Sequence, residues 1–282
     1  MFLNLADFVI EISEIEEIFS PFTLFQVKDN SMKPDIFIFP NKEYHRFILQ
    51  RDELRAKGGE DWRIYLFQRR IIFADNFNSG RIIIFDKEIK KGEFYSGKGK
   101  GENSRNPLTY PLGPLILSHK LAQKGEGLFL HSGGVLENNS GFILAGSPES
   151  GKSTLVELWK KENPKVNVLH DERLILRKRE GGFYAYGCPW HLRKVNLVSN
   201  QKAKIKIIFF LRQSKKNFLR GLERKESFLR ILQHSFYPAY DAKLTENSLD
   251  FLRDLIEKIP CFELGFKPTS SVITFLRKHI DR

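Results

Sequence analysis

Cysteine is scarce in this chain: Cys188 and Cys261 are the two among 282 residues. They lie far apart and form no CxxC pair, which excludes a disulfide framework and a zinc knuckle. Free thiols in a reducing cytoplasm are the expectation. No H-x-x-x-H pattern or Cys/His cluster offers a zinc site either. Long apolar runs are missing as well. None approaches the ~20 residues of a membrane span, so no membrane partner is expected. From Met1 to Ser20 the chain carries Asp7, Glu11, Glu14, Glu16 and Glu17. A signal peptide needs a basic start and an apolar stretch instead, so a cytoplasmic location is expected.

What is present is enough apolar material for a real core, 41% of residues, with 25 phenylalanines. The formal net charge is +12, which favours anionic partners. The basic residues are nevertheless mixed with acids. Their densest groups, Lys202-Ala203-Lys204-Ile205-Lys206 and Arg177-Lys178-Arg179, are short. A solvated surface of the Lys- and Glu-rich kind found in heat-adapted proteins accounts for this pattern. No nucleic-acid motif is present, so nucleic acid is not the expected partner.

Patterning divides the chain into two expected domains, 1–111 and 112–282. The first reads as β-rich, with strand candidates at Ile36 to Phe39, Arg46 to Leu49, Trp62 to Ala74 and Arg81 to Phe85. Asn76 to Gly80 supplies the turn of a hairpin. No catalytic constellation occurs there, and a role in acceptor recognition is expected of this domain. The stretch Gly97-Lys98-Gly99-Lys100-Gly101 has the composition of a phosphate loop but not its spacing, and reads as a linker. Leu112 to Lys124 has helical spacing and ends at Gly125. In the second domain, Leu128 to His131 and Phe142 to Ala145 read as strands, with a turn at Asn138 to Gly141. Val166 to Leu169 and Leu174 to Leu176 also read as strands, and Glu180-Gly181-Gly182 turns the chain into Phe183 to Tyr186. Tight turns between neighbouring strands predict a mixed α/β sheet rather than an all-parallel one.

The chemistry concentrates at Gly146-Ser147-Pro148-Glu149-Ser150-Gly151-Lys152-Ser153, followed by Thr154. This matches the Walker A pattern GxxxxGK[ST] in full, with an apolar strand before it and an amphipathic helix after it. Glycines let the backbone fold around an anion, successive N–H groups form a nest, and the helix N-terminus adds positive potential. Lys152 is expected on the β- and γ-phosphates and Ser153 on Mg²⁺. Asp171 ends the next apolar strand, where an acid can serve the metal or the acceptor. Glu172 beside it is a secondary candidate and joins Ser153 and Asp171 as an expected metal ligand, because successive strand residues face opposite ways and one acid is expected to face the phosphates directly. His131 is open between a phosphate contact, an orienting partner of Asp171 and a structural histidine. His170 and His191 read as structural. In Gly187-Cys188-Pro189-Trp190-His191-Leu192-Arg193, Trp190 is either a pocket wall or a core plug. Arg193 and Lys194 are basic candidates for a phosphate or an acidic substrate.

Taken in order, His131-Ser132-Gly133-Gly134-Val135, Gly146 to Thr154, Leu169-His170-Asp171-Glu172 and Tyr186-Gly187-Cys188-Pro189-Trp190 resemble the HPr serine kinase/phosphorylase superfamily. The resemblance covers about residues 127–280 and is closest to the HPr-kinase-like proteins. It implies a phosphoenolpyruvate-carboxykinase-like, mixed-sheet kinase core that uses ATP and Mg²⁺ to phosphorylate a serine hydroxyl. By position it implies that Asp171 activates the acceptor hydroxyl, that His131 lies close to the transferred phosphate, and that Lys152 and Ser153 contact phosphate and metal. The chain departs from the family in having Glu149 where such loops carry glycine, and in lacking a long Gly/Arg-rich segment after the core. The expected activity is therefore an ATP- and Mg²⁺-dependent kinase acting on a hydroxyl of a protein, peptide or small molecule. Such a kinase could be a homo-oligomer. The rival readings are a nucleotide-binding regulatory protein with weak NTPase activity and a nucleic-acid-associated NTPase.

Overall fold

The computed structural model describes residues 1–15, 20–28, 31–41, 53–58, 61–67, 69–75, 80–96, 105–190 and 198–280. The expected strand at Arg46 to Leu49, the Gly97 to Gly101 linker, and His191, Arg193 and Lys194 lie outside the described residues. The architecture is mixed α/β, with two mixed sheets and, among the described residues, five α-helices. No helix among these residues is long and apolar enough to cross a membrane. The chain divides into two compact units, Met1–Gln123 with Pro238–Ala242, and Lys124–Tyr237 with Lys243–Arg282.

The first unit holds strands β1 (Phe2–Leu5), β2 (Phe8–Ile12), β3 (Gln26–Val27), β4 (Ile36–Pro40), β5 (Glu53–Gly58), β6 (Trp62–Phe67), β7 (Arg70–Asp75), β8 (Arg81–Asp86) and β9 (Lys91–Tyr95). They form one sheet in the order β3-β1-β2-β4-β9-β8-β7-β6-β5. The pairs β2–β4 and β4–β9 are parallel. The stretch from Trp62 to Ala74, expected as one long strand, is instead a hairpin, β6 against β7. Arg69, at φ 69, turns the chain between them, a left-handed conformation that composition alone does not signal at an arginine.

Helix α1 (Leu112–Lys124) belongs almost entirely to this unit, not to the second domain where the pattern placed it. Its side chains explain why. Lys120 Nζ donates to the Glu88 carbonyl at 2.5 Å and Gln123 Nε2 to the Lys87 carbonyl at 2.8 Å. His119 meets the Phe73 ring edge-on at 6.0 Å. Ahead of the helix, buried Arg81 pairs with buried Asp75, Nε to Oδ2 at 2.7 Å, and donates to the carbonyls of Asn106 at 3.2 Å and Tyr110 at 2.9 Å. One guanidinium thus ties a hairpin to the segment that enters the helix.

The second unit holds β10 (Gly127–Leu130), β11 (Ser132–Glu137), β12 (Ser140–Ala145), β13 (Asn167–His170), β14 (Leu174–Arg179), β15 (Gly182–Tyr186), β16 (Lys202–Gln213), β17 (Phe218–Gly221), β18 (Ser235–Phe236) and β19 (Cys261–Phe266). The order is β13-β11-β12-β16-β15-β14-β10-β18, with β19 joining β16 and β17. The strands β12, β16 and β19 run parallel, while the hairpins β11–β12 and β14–β15 are antiparallel. Asn138 and Asn139 turn the first hairpin at φ 50 and φ 61, the backbone a two-residue loop demands.

Helices α3 (Arg224–Gln233) and α4 (Ala242–Lys258) cover one face through Ile231, Phe251, Leu252 and Leu255. Helices α2 (Lys152–Glu162) and α5 (Ser271–Ile280) cover the other through Leu155, Trp159, Val272 and Leu276. In β16 the basic run resolves into alternation: Lys202, Lys204 and Lys206 are exposed while Ala203 and Ile205 are buried. Opposite Gly141 and Phe142 of β12, the register skips Lys206. Past this bulge Ile207, Phe209 and Leu211 face α2 and α5, a change of face that one extra residue produces.

Candidate functional site

Strand β12 delivers the chain into the loop Gly146–Ser153, and α2 carries it away. Two backbone features shape the bend. Gly151 sits at φ 98, and a Cβ there would come within 2.7 Å of the Phe266 ring. At Gly146 a Cβ would meet Ser150 Oγ at 2.5 Å. Both glycines are therefore required by the fold of the loop, independently of any ligand. Glu149 takes φ 65, a left-handed conformation costing a non-glycine residue roughly 1–2 kcal/mol. Gln213, from the end of β16, holds it there by donating to the Glu149 carbonyl at 2.7 Å.

Helix α2 begins at Gly151 with no side-chain cap, so its first N–H groups are available to an anion. Lys152 Nζ donates to the carbonyls of Gly146 at 2.8 Å and Ser147 at 3.0 Å. Two of its three protons are so engaged, which fixes the ammonium over the loop and leaves one donor for a phosphate oxygen. Burial lowers the Lys152 pKa, and the charge of Glu172 works against that shift. The far end of α2 is clasped by buried Glu137 of β11, which accepts from Trp159 Nε1 at 2.9 Å, Asn163 Nδ2 at 2.6 Å and an Arg277 nitrogen at 3.1 Å.

The acids lie in a turn just after β13. Fully buried His170 accepts, through Nδ1, from the backbone N–H of Glu172 and of Arg173, each at 3.0 Å. An Nδ1 that accepts twice carries no proton. Its 3.7 Å approach to Asp171 Oδ1 is consequently not an ion pair. The ring acts as a cap that holds the turn. Asp171 Oδ2 stands 3.5 Å from Ser153 Oγ. Gly133 lets the Asp171 backbone come close, since a Cβ there would lie 3.3 Å from its carbonyl oxygen. The charge of Glu172 acts on Lys152 and on His131.

His131 does not end the strand that pairs with the loop-feeding β12. It follows β10, which pairs with β14 and β18. The neighbour of β12 is β11, starting at Ser132. The pattern hid β11 because Gly133 and Gly134 weaken a strand signal. Both serve close packing, for a Cβ on Gly134 would lie 2.6 Å from Leu174. Burial and then Lys152 lower the His131 pKa, with Glu172 opposing. The structure also brings forward His234, which no motif marks: the His131 N–H donates to its carbonyl at 2.7 Å. Trp190 is a core plug, buried and 5.8 Å from the Phe129 ring. Cys188 is fully buried and pushed up to about 12 by that burial, so it is no nucleophile.

A cavity of about 670 Å³ opens beside the loop. Its walls are Glu149 and Gly151 to Thr154 on one side and Gln213, Ser214, Lys215, Phe266 and Pro268 on the other. These residues follow the carboxyl ends of the parallel strands β12, β16 and β19, the usual place for a ligand in an open α/β sheet. Its size suits a nucleotide-sized molecule. Ser153 and Asp171 offer hard oxygen donors at a spacing that fits Mg²⁺. No set of three His, Cys, Asp or Glu side chains among the described residues is arranged for a metal.

No family model matches the chain, and no curated protein matches it. Among solved structures it is similar to the HPr(Ser) kinase/phosphatase from Coxiella burnetii, at 11% sequence identity and a TM-score of 0.32, over 55% of this chain and 99% of that one. A likeness of that size assigns neither a fold type nor an activity.

Proposed function

We propose that the chain is an ATP- and Mg²⁺-dependent kinase, with a mixed-sheet phosphate-loop core, that transfers the terminal phosphate to a hydroxyl of serine type. The observation that carries this reading is the loop itself. Lys152 is anchored by two loop carbonyls with a donor to spare, and Ser153 faces a carboxylate at 3.5 Å. The nucleoside end would occupy the cavity bounded by Gln213, Lys215 and Phe266, with the phosphates along Gly146 to Thr154.

Ser153 and Asp171 would hold Mg²⁺, whose charge would offset that of the β- and γ-oxygens. Asp171 is the acid set against Ser153, so we give the two acids separate work. Asp171, expected from the resemblance as the base, sits on the Ser153 side. Glu172, whose charge acts on Lys152 and His131, would take the acceptor's proton. A hydroxyl is a weak nucleophile at neutral pH, and a carboxylate within hydrogen-bond reach is a suitable base. Lys152 and the loop N–H groups would stabilise charge as the bond to the leaving phosphate opens.

The test is ADP formation from Mg·ATP by the full chain, with serine-containing peptides and free serine as acceptors. ADP formation that rises with an acceptor, alongside phosphate on its hydroxyl, supports the kinase. Tight Mg·ATP binding with no turnover under any acceptor would favour the regulatory reading, to which the Glu149 carboxylate at the loop lends a physical basis through repulsion of phosphate.

A further inference from the structure

One pair of strand residues braces the bend of the phosphate loop. In the parallel ladder of β16 and β19 the last partners are Gln213 and Phe266. A Cβ on Gly151 would lie 2.7 Å from the Phe266 ring. Gln213 Nε2 donates to the Glu149 carbonyl at 2.7 Å. These two contacts fall on either side of Ser150. The carboxyl ends of two neighbouring strands thus bracket the loop at Glu149 and Gly151.

The bracket meets a conflict in the sequence. The Ser150 N–H donates to the Ser147 carbonyl at 3.1 Å, which closes a turn over Ser147-Pro148-Glu149-Ser150. Proline in the second place and a positive φ in the third fit a type II turn. That third place normally takes Gly or Asn, because its φ is left-handed. Here it holds Glu149 at φ 65, a residue whose Cβ disfavours that conformation. The turn matters to the site in two ways. Its successive N–H groups form the concavity that receives an anion. Its closing carbonyl, that of Ser147, also accepts from Lys152 Nζ at 3.0 Å. If Glu149 left its left-handed well the turn would open, and one anchor of Lys152 would shift with it.

We propose that Gln213 is a positioning residue for the phosphate loop: its amide holds Glu149 in the left-handed conformation that the anion-binding form of the loop requires. Glycine at this place would make that hold unnecessary, since it takes positive φ freely. The proposal rests on the nucleotide-binding reading above. Gln213 acts through the Glu149 carbonyl and takes no part in the chemistry of transfer. A loop that is in its binding form only part of the time binds more weakly by that fraction. The effect of Gln213 therefore falls on affinity and KM, and kcat is left nearly unchanged once nucleotide is bound.

The experiment is a double-mutant cycle on the full chain, with Mg·ATP as the probe. Gln213→Met removes the donor and keeps the length of a side chain that is exposed, so the core is untouched. It is combined with Glu149→Gly, which relieves the backbone, and separately with Glu149→Gln, which keeps the Cβ and removes only the charge. The quantities read are calorimetric affinity, KM and kcat for ADP formation, and hydrogen exchange of the Ser150 N–H without nucleotide. Alone, Gln213→Met is expected to weaken affinity and raise KM by roughly five-fold, the net worth of one hydrogen bond. Its kcat should stay within about two-fold, and Ser150 should exchange faster by a similar five-fold factor, roughly, as the turn opens more often. The same losses should recur in the Glu149→Gln background. In the Glu149→Gly background they should shrink below about two-fold, the mark of two residues that act on one feature. The proposal is overturned if Gln213→Met binds Mg·ATP as tightly as the wild type. It is overturned equally if the loss is as large in the Glu149→Gly background as alone, which would make Gln213 a direct contact of the nucleotide. A wild type that does not bind Mg·ATP refutes the nucleotide reading, and Ser150 exchange across the same variants then decides the role of Gln213 by itself.

Discussion

In the first unit, Asp75, Arg81 and Asn106 are buried together, and their polar atoms bond to one another or to neighbouring backbone. In the second unit, the phosphate loop holds buried Ser150 and Lys152. There Ser150 Oγ, like the buried Ser132 Oγ, has no hydrogen-bond partner. Both units are mixed sheets, and both place a charged clasp under a helix. The difference is what the polar groups are for. A buried polar group that is satisfied holds a fold, and one left unsatisfied costs stability. Three parallel strands of the second unit end side by side at the loop and its cavity.

The largest expected effect separates the two acids of the second unit. Glu172→Gln should lower phosphate transfer by roughly 10²–10⁴ while Mg·ATP affinity stays within a few fold. Asp171→Asn should instead raise the Mg²⁺ concentration needed for half-maximal turnover. Steady-state rates across a Mg²⁺ titration check both. An Asp171→Asn enzyme that is inactive at every Mg²⁺ concentration, beside an active Glu172→Gln, would return the base to Asp171.

The first unit should break through its clasp. Arg81→Met leaves Asp75, 1% exposed, without its cation. Removing one partner of a buried pair costs about 3–5 kcal/mol. Urea unfolding of the full chain measures this, and a loss under 1 kcal/mol would mean the clasp is dispensable.

A smaller and pH-dependent effect belongs to His119. Burial lowers its pKa from 6.5 to about 4, and its Nδ1 lies 2.7 Å from the Tyr240 hydroxyl. Between these values the unfolded chain binds a proton that the folded chain refuses. Stability is therefore full above pH 6.5 and falls as pH drops towards 4, by about 3 kcal/mol in all. His119→Leu should flatten that slope, and unchanged acid sensitivity in this variant would place its source elsewhere.

The phosphate loop was legible because its residues are contiguous and each type is needed at a fixed spacing. The hairpins were legible from Asn138-Asn139 and Gly181-Gly182, whose backbones take positive φ. Strand β11 was not, since Gly133 and Gly134 answer to Asp171 and Leu174 across the sheet rather than to strand propensity. The membership of α1 was hidden for a similar reason. Its helical period is visible, but the carbonyls of Lys87 and Glu88 that capture it are not. His234 carries no local signal whatever, and only the bond from the His131 N–H to its carbonyl brings it beside His131.

The central claim is that Gly146 to Thr154 binds a nucleoside triphosphate through Lys152. Calorimetric titration of the full chain and of Lys152→Ala with Mg·ATP tests it most directly. The account expects saturable binding by the wild type and a loss of at least about ten-fold in affinity, 1.4 kcal/mol, in the variant, with turnover abolished. Equal affinity and equal turnover in the two proteins would contradict it.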